Sequence, residues 1–259
     1  MEKDYIYSYF KLFIISNLYF YVLVHLTHIK KLLLTLGRLF LGLFLYAAGI
    51  ILTINANLGL SPWQVFHQGV SNHIGITIGQ ASIIVGFIFV ILDWILGEKL
   101  GIGTICNMLF IGIFMDVLML NNLIPVVNNI FAQFLMLALG MFVIGIGTYF
   151  YIGAGLGSGP RDGLMVALTK KLKKSVRFIR NSIELTVLVI GYILSGTVGV
   201  GTLIMVIGLG YFVQFAFTLF KFDVSKVKHT FIDDYIRIIK DNITKKKEDK
   251  NISKEKTTT

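Results

Sequence analysis

The sequence repeats itself at a constant offset of 98 residues, with no gap, over nearly two thirds of its length. Leu58-Gly59-Leu60-Ser61-Pro62 falls on Leu156-Gly157-Ser158-Gly159-Pro160, and Gly101-Ile102-Gly103-Thr104 falls on Gly199-Val200-Gly201-Thr202. Gly42 and Gly140, Gly49 and Gly147, Ala56 and Ala154, and Gly112 and Gly210 keep the same register. A fixed register across long apolar runs points to duplication within a membrane protein, the plan of carriers whose site lies where two halves meet.

Apolar residues make up 55% of the 259, and mean hydropathy is +0.77, with 26 Gly but only 3 Pro. A soluble domain of this length has too little interior for that many apolar side chains, and it would not carry several nearly uncharged runs of about 18 residues. The chain therefore reads as an all-α, polytopic helical membrane protein. The runs are continuous and do not alternate apolar with polar, which disfavours a barrel. The net charge of +10 is gathered in patches flanking the apolar runs: Lys30, Lys31 and Arg38; Lys170 to Arg180; and the tail after Lys221. That placement fits the positive-inside bias and anionic lipid, and no nucleic-acid partner is expected. Cys106 is the single cysteine, so neither a disulfide nor a thiolate metal cluster can form within one chain.

Four regions follow: an N-terminal segment 1–36, a first membrane repeat 37–121, a second repeat 131–220, and a basic tail 222–259. In the first region the apolar core from Phe13 to Leu26 is about 14 residues, short for a span, and an interfacial helix or an extra span both remain open. The first repeat reads as a span from Leu39 to Asn55, a short helix from Pro62 to His73, and spans from Ile78 to Leu96 and Ile102 to Leu120. The second copies it: Phe131 to Ile152, Pro160 to Leu172, Phe178 to Leu194 and Thr202 to Phe220. Helices of 12 or 13 residues cover under about 20 Å at roughly 1.5 Å per residue, against a hydrocarbon core of about 30 Å, so the short helices read as broken or re-entrant. Each half then has three spans, and the second lies inverted relative to the first. Lys30, Lys31, Arg38, Lys99, the Lys170–Arg180 cluster and the tail all fall inside, which puts both termini in the cytoplasm. An eight-span alternative would place Lys99 and Arg161 outside. The tail, with Phe222, Val224, Val227, Phe231, Tyr235, Ile238 and Ile239 between charges, reads either as an amphipathic helix on the inner leaflet or as a solvated tail, with a disordered end from Lys245.

The Gly-rich turns before Pro62 and Pro160 are the most specific local features. A helix interrupted inside the membrane leaves free N–H groups aimed at whatever fills the gap, and matching breaks in two halves point to a carrier's site. Ser61, Pro62, Gln64, Gly159, Pro160, Arg161 and Asp162 are therefore candidate substrate-binding residues. Arg161 suits a carboxylate or phosphate, while Asp162 also complements the helix dipole. Arg180 and Glu184, four apart, share a helical face, and Glu184 is the leading candidate for proton or cation coupling. Asp116 beside Gly112 and Gln214 beside Gly210 combine a small and a polar residue on one stripe, which suits an interhelical hydrogen bond. Asn107 is a further candidate, on about the opposite face from Asp116. Asp93, next to Trp94 at a membrane boundary, reads as a solvated carboxylate. His67 and His73 do not share a face and make a poor metal pair. No metal or cofactor is expected.

These stretches resemble the YczE group of the YczE/YyaS/YitT integral membrane proteins of bacteria. The matching residues are Leu58 to Trp63, Gly101 to Thr104 with Asn107, Gly155 to Met165, and Gly199 to Thr202 with Gln214, within about residues 37 to 220. Gln64 stands where the group carries an aspartate, and Ile113 where a proline is common. The resemblance implies a multi-pass protein of the plasma membrane and names no solute.

A secondary transporter or permease of a small solute is the reading expected from the duplicated broken helices, with the lipid bilayer and a solute or coupling ion as partners. A membrane accessory or scaffold protein, docking a partner through the basic tail, is the alternative. The chain has no HExxH, GxSxG or P-loop, so no enzyme activity is expected and transport would use a gradient or a separate motor.

Overall fold

The computed structural model describes residues 2–234, 236, 237 and 240, with side-chain surroundings for Thr27 and from Ile29 onward. Up to Leu219 eight α-helices follow one another among the described residues: α1 (Glu2–Asn55), α2 (Pro62–Ile74), α3 (Ile78–Ile95), α4 (Ile102–Leu120), α5 (Ile130–Gly153), α6 (Pro160–Leu172), α7 (Val176–Ile193) and α8 (Val200–Leu219). Among the described residues there is no strand. Each of α2, α3, α4, α6, α7 and α8 begins within two residues of its expected start. The prolines at the first turns of α2 and α6 explain this, since a ring without an N–H costs nothing there.

Two compact units divide the chain, Met1–Arg38 and Leu39–Thr259. In the first, the backbone is helical without a break. Ile29, Leu32, Leu33 and Leu34 are exposed there, as apolar side chains in contact with lipid would be. The side chains of 2–26, which would separate an interfacial helix from an extra span, lie outside the described residues.

In the second unit small residues set the helix spacing. Gly42 packs on Gly147 and Gly49 on Gly140, so the length of α1 from Leu39 runs antiparallel to α5 at backbone contact. Gly79 of α3 meets Gly112 of α4 in the same way, and Gly145 of α5 meets Phe212 of α8. Ala56, Met136, Leu137, Met141 and Met205 form a buried core. Phe87, Ile95, Leu135, Leu203, Ile207 and Tyr211 point outward, more than half exposed. A surface this apolar suits lipid as its solvent.

Among the described residues five stretches are long and apolar enough to cross a bilayer: Ile29–Asn55, Ile78–Ile95, Ile102–Leu120, Ile130–Gly153 and Val200–Leu219. The segment expected to be the sixth span forms α7, an 18-residue helix, but Arg177, Arg180 and Glu184 keep it out of this set. The short helices α2 and α6 have 13 residues each. The tail departs from the amphipathic-helix reading only up to Phe231; residues 232–234, 236, 237 and 240 are helical. After a 3₁₀ turn at Val224–Lys226 it runs without helix to Phe231, because its backbone bonds elsewhere: Thr230 N–H donates to the Gly155 carbonyl (2.8 Å) and Ile232 N–H to that of Leu100 (2.9 Å). The end from Lys245 lies outside the described residues.

Candidate functional site

The two Gly-rich turns are seated in each other's half of the sequence. Gly201 N–H, in the first turn of α8, donates to the Leu58 carbonyl at 2.7 Å, and Gly103 N–H, in the first turn of α4, donates to the Leu156 carbonyl at 2.7 Å. Gly59 and Gly157, with φ of +112° and +116°, turn the chain so that their α-carbons lie against the Gly199 and Gly101 backbones. Only glycine adopts that backbone without strain, and a Cβ would strike the facing main chain. Each turn thus delivers the first residues of α2 or α6 to a fixed place.

Between them lies a cavity of about 240 Å³, lined by α1, α2, α4, α5, α6, α7 and α8. At its centre the Arg161 guanidinium lies over the Trp63 ring, 4.9 Å from its centroid, and donates through Nη2 to Tyr46 Oη at 3.0 Å. Tyr151 Oη donates to Asp162 Oδ2 at 3.5 Å, and the Tyr46 and Tyr151 rings meet edge to face. Arg180 and Glu184 form an ion pair at 3.2 Å on the α7 wall. The charges therefore fall into two neighbourhoods, Arg161 with Asp162 and Arg180 with Glu184. Arg161 donates from Nη2 to Tyr46 and carries a planar fork of five donors, which leaves it able to take a carboxylate or phosphate.

Nine of the twelve candidate residues line this cavity: Ser61, Pro62, Gln64, Asn107, Gly159 and Arg161, with Asp162, Arg180 and Glu184. Pro160 lines a smaller space of about 40 Å³ beside it, with His67 and Phe89. Gln64 is buried and its Oε1 faces His67 Nδ1 at 3.0 Å, which occupies that histidine; among the described residues no group of three metal-ligating side chains occurs. Asp116 and Gln214 lie outside both spaces. Asp116 instead caps α3, its Oδ1 accepting from Gly79 N–H at 3.0 Å and its Oδ2 from the Thr77 hydroxyl. Gly210, next to Gln214, has open space where a Cβ would be, so the close approach seen at Gly112 is not repeated.

Tyr46, Tyr151 and Met205 were not singled out by sequence. The tyrosines are two of eleven in the chain and carry no motif. Asp93 is the larger surprise. It is 1% exposed, where a solvated boundary carboxylate was expected. The stripe Gly79, Gly86, Val90, Asp93 has the spacing of one helical face and was the available signal.

Residues 33–218 match the family described as "Family of unknown function (DUF6198)". The chain is 37% identical over 179 residues to "Uncharacterized membrane protein YczE" of Bacillus subtilis, covering 68% of this chain and 82% of that one. It is 30% identical over 181 residues to an "Uncharacterized protein" of Haemophilus influenzae (70% and 82% covered), and 31% over 169 to "Uncharacterized protein YyaS" of Bacillus subtilis (64% and 84% covered). No solved structure matches. The apolar helices and these relatives together make it a membrane protein, and the chain belongs to the DUF6198 family, in its YczE-like group.

Proposed function

We propose that this protein is a secondary transporter of a small solute bearing an anionic group, built from two inverted repeats in the plasma membrane with both termini in the cytoplasm. The observation that carries the reading is Arg161, held over Trp63 at the mouth of a broken helix, in a cavity that both halves of the sequence line. A cavity of about 240 Å³ suits a small metabolite and not a macromolecule. Helix starts 98 residues apart and the antiparallel Gly42–Gly147 seam support the inverted repeat. The halves are not closed alike: α3 and α4 are zipped at Gly79–Gly112, whereas α7 and α8 both line the cavity and Gly210 stands free. Alternating access would exchange these two conditions about the fixed site.

The test is purified protein in liposomes, assayed for uptake and for ligand-induced thermal stabilisation with small carboxylates, phosphates and zwitterions. Saturable uptake that Arg161→Ala abolishes is expected. No uptake and no stabilisation across the whole panel overturns the reading.

A further inference from the structure

Asp93 is the third residue from the end of α3, 1% exposed, and among the described residues neither of its carboxylate oxygens has a hydrogen-bond partner. It faces α6 at Gly163, where a Cβ would overlap the carboxylate, so α6 lies directly on it. The charged groups that act on it are both acidic: Glu98 from the turn after α3 and Asp162 from α6. Glu98 is already taken by Lys170 at 2.7 Å. From α4 the acid is Asp116, which is committed to the opposite end of α3; from α2 the nearest titratable group to the cavities is His67, bonded to Gln64. Among the described residues no cation pairs with Asp93. An ionised carboxylate sealed from water with no donor is strongly disfavoured, whereas the neutral acid is tolerated.

The fold does not need an acid here. Ninety-eight residues on, Gly191 of α7 packs on the Val65 and Phe66 backbone of α2, the counterpart of the Asp93–Gly163 contact made without an ionisable side chain. The carboxyl has thus been introduced on one side of an otherwise equivalent pair of contacts. It sits on α6, whose first turn carries Arg161 and Asp162 into the cavity.

We infer that the Asp93 carboxyl is a proton-binding site whose occupancy is tied to the α3–α6 contact: the protonated acid is held under Gly163, and ionisation requires α6 to move off so that water reaches the carboxylate. A proton taken up or lost at Asp93 would then shift α6 and the cavity residues it carries. Its role as a coupling site rests on the transport reading; the binding of the proton does not.

Full-length protein in liposomes tests this by infrared difference spectroscopy between acid and alkaline pH. A carboxylic-acid carbonyl band that disappears in Asp93→Asn is expected. In a Cys106→Ser background, thiol labelling of Ala167→Cys, one turn from Gly163 and buried, should rise with pH several-fold more than that of an exposed cysteine, whose rise reports the thiolate fraction alone, and this excess should be absent once Asp93→Asn is added. A band that survives Asp93→Asn, or a labelling profile it does not change, overturns the inference. So does an Asp93→Asn chain that fails to fold, because a neutral isostere is what the site is said to hold. An intact Asp93 signature with no solute uptake overturns the transport reading alone, and uptake without that signature overturns this one alone.

Discussion

Gly42 and Gly147 meet backbone to backbone: a Cβ on Gly42 would lie 2.9 Å from the Gly147 carbonyl oxygen, and one on Gly147 would lie 2.9 Å from the Gly42 carbonyl. With Gly49 and Gly140 doing the same, the α1–α5 seam has no room for a side chain. Gly147→Val is expected to destabilise by about 1–3 kcal/mol or more, as overpacking does. A lowered melting temperature in detergent, with Gly37→Val (open space around it) as the silent control, checks this.

Arg161→Lys keeps the charge but loses the planar stack on Trp63 and the fork geometry. Loss of a charge-assisted hydrogen bond and a cation–π contact is worth about 1.5–3 kcal/mol, roughly tenfold or more in apparent affinity. Thermal stability of the ligand-free protein should fall as well, since the guanidinium also bonds Tyr46 and stacks on Trp63, so affinity is read from the ligand-induced shift and not from the melting temperature itself. Titration of ligand-induced stabilisation in wild type and variant measures the ratio.

Asp116→Ala removes the acceptor for two donors at the start of α3. About 1–2 kcal/mol of stability should be lost, the usual cost of a missing cap. Solute affinity should be unchanged, because Asp116 lies outside the cavity. Paired melting and uptake measurements separate the two effects.

The tail segment around His229 docks on the turn that leads to α6, with Gly157 N–H donating to His229 Nδ1 at 3.3 Å. That bond requires the neutral ring, and burial pushes the His229 pKa below its ordinary value. Docking therefore binds fewer protons than release. The contact is fully present above the ordinary histidine value of about 6.5 and is lost as pH falls through the lower docked value. Labelling of Val227→Cys in a Cys106→Ser background should increase on acidification, and His229→Phe should flatten that dependence.

Topology is tested by single cysteines at Lys99, Pro125 and Lys171 in a Cys106→Ser background. Lys99 and Lys171 should react only with reagent given access to the cytoplasmic side, and Pro125 only from outside. Outside labelling at Lys99 would remove the inverted arrangement.

Much of the fold was legible because it is written in strong local signals. Pro62 and Pro160 mark helix starts, the Gly-rich turns mark breaks, and uncharged apolar runs mark spans. The cavity was legible for the same reason, since residues next to a break must face the gap it makes. Asp116 was not, because the stripe it shares with Gly112 fits a cap as well as a pocket, and which one depends on whether a neighbouring helix begins beside it. Thr77 and Gly79 do. Asp93 was hidden by its position at a boundary, where the sequence shows a solvated carboxylate and only the packing of α6 shows a sealed one. The tail's path was hidden too, for its backbone partners, Gly155 and Leu100, are distant in sequence.

The crossed seating of the turns, Leu58 on Gly201 and Leu156 on Gly103, makes either half of the chain an unfinished object. Each keeps the socket that its counterpart requires and lacks its own. Severed in the loop between Leu120 and Ile130, the fragments should be recovered as a complementing pair when made together, while a lone fragment would have to borrow a second copy of itself, head to tail, to seat its short helix.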